Sequence, residues 1–310
     1  MNKERRSMTN KLRTRRVGVL AALMTVALGA TACGGSDAPS DEGSEAAAQS
    51  ITLGIIPSWT DGLSTAYLWE NILEAEGIDV EIQELSEAAP LYTGLSNGDV
   101  DVYPSGWSEA THAEYMEEYG DDIEDLGAYY DNAKLTFAVP EYTDIDSIAD
   151  LTGNADMFDG RIVGIEPGAG LTAVTKDSVM PTYGLEEDYE LVESSTTAML
   201  TELQSAVDAE EDIVVTLWKP FWANSSFPLK DLEDPEAALG PVEGLHTLAR
   251  TGFTEDFPEI AEMMTNFKLD DDQYGQLENL VVNEFGSGQE AEAVEQWLEE
   301  NPDFIDGLKG

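Results

Sequence analysis

The chain of 310 residues carries 15 Lys and Arg against 63 Asp and Glu, a net charge of −48. That balance excludes nucleic acid and anionic membrane surfaces as natural partners. A single Cys rules out an intramolecular disulfide, and with two His in the whole chain it leaves no metal cluster to expect and no cofactor to hold. The first element is a leader over residues 1–32. Basic residues lie between Lys3 and Arg16, an apolar run fills Val17 to Ala30, and small residues precede Cys33. These are the charged region, apolar region and cleavage site of a secretory signal, and the run is short for a membrane span. An uncleaved anchor with an incidental Cys is the alternative.

Cys33 at the first position after cleavage is similar to a bacterial lipoprotein anchor. The expected address is the outer face of the cell membrane, held there by lipid on Cys33. Residues 33–50 bury almost nothing and read as a flexible tether. Past the leader remain eight basic residues and 62 acidic ones, a net charge near −54. The surplus reads as a solvating surface rather than as a binding site, because at about 1 M salt the screening length is only about 3 Å.

From Ile51 onward, strand-like runs alternate with helical patterns. "ITLGIIPS" leads into a helix over Leu63 to Glu76, and "IDVEIQELS" is followed by "APLYTGLSNGD" and "VDVYPSGW". "KLTFAVPEY" begins at Lys134. "RIVGIEPGAG" leads into "LTAVTKDSVMPTYG", "YELVESS" into "TTAMLTELQSAVDAEED", and "IVVTLWKPFW" closes the series; after Gly244 the pattern reads mostly helical. This alternation predicts an α/β fold with parallel sheets and helices on both faces. "GIIPSWTDGLSTA" and "GIEPGAGLTAV" echo each other as strand, Pro-containing turn and helix, which two similar lobes would explain.

The six Trp divide by placement. Trp69 and Trp297 sit in helical stripes and Trp222 follows Pro220; all three read as packing. Trp59, Trp107 and Trp218 each come just after a strand, where open α/β sheets bind ligands. Each alone fits a core position better than a binding site, but three at strand ends on separate segments can converge. Stacked indole faces attract a quaternary ammonium, which has no N–H to donate. Gly164, Ile165, Gly168 and Gly170 form a turn that can aim backbone N–H groups at an anion, or can be an ordinary strand-to-helix turn. Thr111 and Glu114 fit a capping box, which predicts His112 at the first helical position. A surface His on a polar helix is the other reading.

Enzyme readings fare badly. Ser96 in "GLSNG" matches a nucleophile elbow, but it follows a helix and precedes a strand, the reverse of the required order. "LDDDQYGQLE" lacks the ligands of a calcium loop.

Taken together, "GLSNGDVDVYPSGWSEATH", "GIEPGAG" and "VVTLWKPFW" resemble the substrate-binding lipoproteins of glycine betaine ABC importers, over about Ile51 to the C-terminus. The resemblance implies a bilobed fold of the periplasmic-binding-protein type, two parallel-rich α/β lobes joined by a hinge. Lobe one would be Ile51–Val139 with Leu245–Gly310, and lobe two Pro140–Gly244. It implies a Trp59, Trp107 and Trp218 prism for the trimethylammonium. It implies a carboxylate held by the backbone of Gly164 and Ile165 and by the His112 side chain. The expected partners are a betaine, an ABC permease and its ATPase, with the protein itself a monomer and not an enzyme. Choline, carnitine or ectoine as ligand, or a tethered sensor without transport, are the alternatives.

Overall fold

The structure is a computed structural model, and it describes residues 50–310. The leader, Cys33 and most of the tether lie outside the described residues. The first half of the chain gives β1 (Ser50–Ile55), α1 (Thr60–Ala75), β2 (Asp79–Glu84), α2 (Ala88–Asn97), β3 (Val102–Gly106), α3 (Ala113–Tyr119) and β4 (Ile123–Pro140). β5 (Arg161–Val163) then turns into α4 (Gly170–Val174), which continues through a π-helical turn (Thr175–Val179) into α5 (Met180–Tyr183). Next come β6 (Glu190–Val192), α6 (Thr196–Ala209), β7 (Val215–Lys219), α7 (Ala223–Ser226), β8 (Leu229–Asp231) and β9 (Glu243–Arg250). The chain ends in α8 (Phe253–Asp256), α9 (Pro258–Asn266), α10 (Asp271–Glu278), a second π-helical stretch (Asn279–Phe285), α11 (Glu290–Glu300) and α12 (Phe304–Leu308).

Among the described residues the strands form one sheet in the order β2-β1-β3-β9-β4-β7-β5-β6, with β8 beside β4. Pairing is parallel at both ends, β1 with β2 and β3, and β5 with β6 and β7. In the middle it is antiparallel, β9 with β3 and β4, and β4 with β7 and β8. The α/β expectation holds in its parallel-rich ends, and the antiparallel centre is built on β9, which the sequence patterning missed, and on β4, of which it caught only the part from Lys134. β4 starts at Ile123, well before Lys134, and spans 18 residues. Its first part pairs with β9 up to Ala133, and from Lys134 it pairs with β7. β9 falls where helix was expected. Every residue from Glu243 to Ala249 except His246 is buried, so no alternation marks the strand, while Leu245, Leu248 and Ala249 mimic a helical stripe.

Local chemistry explains the joints. Gly98 ends α2 in the left-handed conformation at φ 76°, which a side chain would resist. Asp270 and Gln273 cap α10 reciprocally, so "LDDDQ" starts a helix. Ser96 donates its hydroxyl to the Thr93 carbonyl within α2. The Thr111–Glu114 capping box does not form. His112 is itself the N-cap residue of α3, and the Thr111 hydroxyl donates instead to Glu243.

Trp69 and Trp297 are both fully buried. Trp69 meets Phe267 edge-on at 5.2 Å, and Trp297 meets Phe304 edge-on at 4.8 Å while its indole N–H donates to the Gln273 carbonyl at 3.1 Å. Both are structural members of the core, and Trp222, against Phe221 and Phe227, packs likewise. Trp69→Ala and Trp297→Ala are each expected to cost about 3–5 kcal/mol of stability. Urea denaturation measures this, and solute binding by the fraction that remains folded should stay close to wild type.

Candidate functional site

The two echoed segments are built alike. β1 passes through Pro57 into α1, and β5 passes through Pro167 into α4. Both turns open at strand ends onto one cavity. Trp59 and Asp61 enter it from the first turn, and Ile165, Ala169, Gly170 and Leu171 from the second. Trp107, Thr111 and His112 reach it from the segment after β3, Leu135 from β4 and Trp218 from β7. The three Trp expected at strand ends therefore line one space, although they come from separate elements.

Each ring is held at its edge or its back. The Trp107 indole N–H donates to Asp61 Oδ2 at 3.1 Å, and Ser105 donates to the same oxygen at 2.7 Å. The Trp59 indole N–H donates to Glu166 Oε2 at 3.3 Å. Trp218 stacks on Phe221 at 4.1 Å. Asp61 and Glu166 were not expected from the sequence. Each stands within two residues of an expected site residue, so an acid in a post-strand turn was the available signal. Burial raises the Asp61 pKa, opposed by the Ser105 and Trp107 hydrogen bonds.

His112 is buried, stacked against Trp59 at 5.9 Å, with Nδ1 at 3.0 Å from the Tyr92 hydroxyl. Burial drives its pKa down to about 3, so the ring is neutral at physiological pH. Burial also raises Tyr92 well above the ordinary phenol value, so that hydroxyl keeps its proton. A Tyr92 O–H donating to Nδ1 leaves the ring proton on Nε2, a single neutral donor for an anion in the cavity. The backbone around His112 is fixed by Glu243, whose carboxyl accepts from the N–H groups of Ala110 (3.0 Å) and Thr111 (3.1 Å). Glu109 turns away from the cavity, accepting from His246 Nε2 at 3.0 Å and from the Gly244 N–H at 3.3 Å.

The structure departs from expectation at Gly164. Its N–H donates to the Val192 carbonyl at 3.0 Å, continuing the parallel pairing of β5 with β6, and Gly164 is not part of the cavity wall. Ile165 does line the cavity, two residues past the strand end. Beside it, Gly170 and Leu171 open α4, where the first backbone N–H groups have no partner within the helix. The backbone N–H groups left free at the cavity wall thus lie further along the turn than the sequence suggested.

The walls on either side touch. The Tyr115 hydroxyl donates to the Gly168 carbonyl at 2.8 Å. A Cβ on Gly170 would sit 2.1 Å from the Thr111 carbonyl oxygen. Gly170→Ala is therefore expected to hold these walls apart and to weaken solute binding by about tenfold or more, leaving the denaturation midpoint little changed. Titration calorimetry and urea denaturation of the same samples check both halves of that statement.

Behind the wall, buried Glu278 accepts from the Thr60 hydroxyl, and burial lifts its pKa to about 8. In the unfolded chain the same carboxyl titrates near 4.5. Between those values the folded protein holds the extra proton, so this group's contribution to stability falls as pH rises through the interval. Glu278→Gln should remove that slope, up to about 1.4 kcal/mol per pH unit. The wild-type minus variant difference in unfolding free energy from pH 5 to 8 measures it; a flat difference would mean that Glu278 is ionised in the fold.

Residues 49–300 match the family model described as the substrate binding domain of ABC-type glycine betaine transport systems. The chain is 34% identical over 150 residues to the glycine betaine/carnitine transport binding protein GbuC of Listeria monocytogenes; the match covers 48% of this chain and about half of that relative, 49%. The structure is similar to the glycine betaine/L-proline-binding protein ProX of Borrelia burgdorferi, with a TM-score of 0.78 and 31% identity over 84% of this chain and 97% of that one. It is similar to lactococcal OpuAC in its closed conformation with glycine betaine, with a TM-score of 0.76 and 28% identity over 84% of this chain and all of that one, 100%. A choline-binding protein in complex with choline gives a TM-score of 0.75 at 27% identity, over 84% of this chain and 91% of that one. The chain belongs to the family of substrate-binding domains of ABC-type glycine betaine transport systems.

Proposed function

We propose that this protein captures glycine betaine, or a related quaternary ammonium solute, outside the cell membrane and presents it to an ABC permease and its ATPase. The observation that carries the reading is one cavity lined by two chemically different sets of residues. Trp59, Trp107 and Trp218 line it, and so do neutral His112 and the residues Ile165, Gly170 and Leu171. The indole faces would take the trimethylammonium, where a desolvated cation gains most from a ring. The Ile165 and α4 N–H groups and His112 Nε2 would take the carboxylate. Support comes also from the solutes named for the relatives, glycine betaine in one structure and in GbuC.

The same reading makes the protein a monomer tethered through lipid on Cys33; no helix among the described residues is long and apolar enough to cross a membrane. It divides the described chain into the lobes 51–139 with 245–310, and 140–244. The change of partner along β4 at Ala133 and Lys134 supports a hinge in that strand, about six residues before the boundary at 139. The solute would favour the closed arrangement through contacts to both lobes at once.

Choline is the second reading, and Asp61 favours it. A buried carboxyl on the cavity wall suits a net cation better than a zwitterion, and one similar structure holds choline. Calorimetry against glycine betaine, proline betaine, carnitine, choline and ectoine decides between them. Choline should bind at least about tenfold more weakly than glycine betaine, because its hydroxyl leaves the anion-end donors poorly matched. Trp59→Ala, Trp107→Ala and Trp218→Ala should each lose about thirtyfold for both solutes. His112→Ala should weaken betaine alone and narrow the gap. Equal affinity for choline and betaine in the native protein would sink the anion-end assignment and make choline the leading solute.

A further inference from the structure

Glu166 makes a set of contacts that no packing argument requires. It stands three residues past β5, 5% exposed, and four donors converge on its two oxygens. Two come from its own side of the cavity: the Thr196 N–H at 2.9 Å to Oε1 and the Thr196 hydroxyl at 2.8 Å to Oε2. The other two come from the opposite side, off the β1–α1 turn: the Ser58 hydroxyl at 3.4 Å to Oε1 and the Trp59 indole N–H at 3.3 Å to Oε2. The two short bonds fix the carboxylate at the start of α6. Of the two long ones, that from Trp59 ties Glu166 to a ring of the cavity wall, although Glu166 is not itself part of that wall.

We infer that Glu166 is a positioning residue that couples solute capture to closure, by latching the edge of the Trp59 indole from the other end of the sheet. The inference rests on the quaternary ammonium site proposed above and adds a specific coupling to it. The indole N–H can reach Glu166 only when the two sides meet. A ring so latched turns its face to the solute and is anchored at its edge by an anion. The hydrogen bond also pushes electron density from the N–H into the ring, which strengthens its attraction for a cation. Occupancy and closure then support each other, because the solute holds the ring face while Glu166 holds its edge.

Glu166→Gln tests this selectively. A Gln side chain has one acceptor oxygen and one donor nitrogen. The Thr196 backbone N–H fixes the oxygen at the Oε1 position, and the Thr196 hydroxyl can rotate to accept from the amide. The amide nitrogen then faces the Trp59 N–H, donor against donor, so the latch is lost while the anchor remains. Calorimetry with glycine betaine and with choline should show both weakened by about tenfold or more, by the same factor, because both solutes use the ring. His112→Ala, by contrast, should weaken glycine betaine and leave choline almost unchanged.

The second measurement replaces Trp59 with benzothienylalanine, which keeps the bicyclic ring and lacks the N–H. That protein should bind about tenfold more weakly with Glu166 intact, and adding Glu166→Gln should then change nothing further. A full additional loss in the double variant would show that Glu166 acts only through Thr196 and would overturn the latch. So would wild-type affinity in either single variant. If Glu166→Gln fails to fold, the benzothienylalanine protein alone decides, with unchanged affinity as the overturning result. Failure of the native protein to bind any quaternary ammonium would overturn the site reading and the latch together, whereas native binding with an unaffected Glu166→Gln overturns the latch alone.

Discussion

An indole can offer its face to a cavity only if something fixes its edge. In this protein two edges end on buried carboxyls, Trp107 on Asp61 and Trp59 on Glu166. Burying a carboxyl is costly unless donors surround it, and both are surrounded: Asp61 by Ser105 and Trp107, Glu166 by Ser58, Trp59 and Thr196. The supporting residues lie at the ends of β3 and β1 and at the start of α6. The aromatic wall therefore depends on the sheet holding these ends in register, and the sheet's parallel flanks aim them all at the same place.

The distribution of charge separates this interior from the surface. Seven of the eight basic residues among the described residues pair with carboxylates, and Lys268 bonds the Ala128 carbonyl. The acidic surplus has no cations left to meet. Exposed pairs of this kind contribute little each, so the self-repulsion of the surface is relieved mainly by salt in the medium. Inside the cavity the contacts are short and enclosed, where salt has little access.

Much of the site could be read from the chain because its signals are local. A Trp directly after a strand is visible in the letters, and Trp59, Trp107 and Trp218 do line one cavity. His112 was legible only as a neighbour of Trp107; its burial and its tie to Tyr92 come from residues twenty positions away. Gly164 misled because the exact end of β5 decides which N–H groups the sheet uses, and strand ends are poorly marked in sequence. Thr111 misled because Glu243, far along the chain, outbids the local cap. β9 was hidden by uniform burial, and the early part of β4 by Asp and Asn residues that resemble loop composition.

β4 belongs to both ends of the sheet at once. A strand resists shear through its hydrogen bonds but yields to twist. Any change of angle between the two ends must pass through the residues where β4 exchanges β9 for β7. The next pair along is Leu135 opposite Trp218, and both side chains stand in the cavity wall. Part of the grip is thus mounted on the axle itself. A turn of that axle would carry this part of the wall with it.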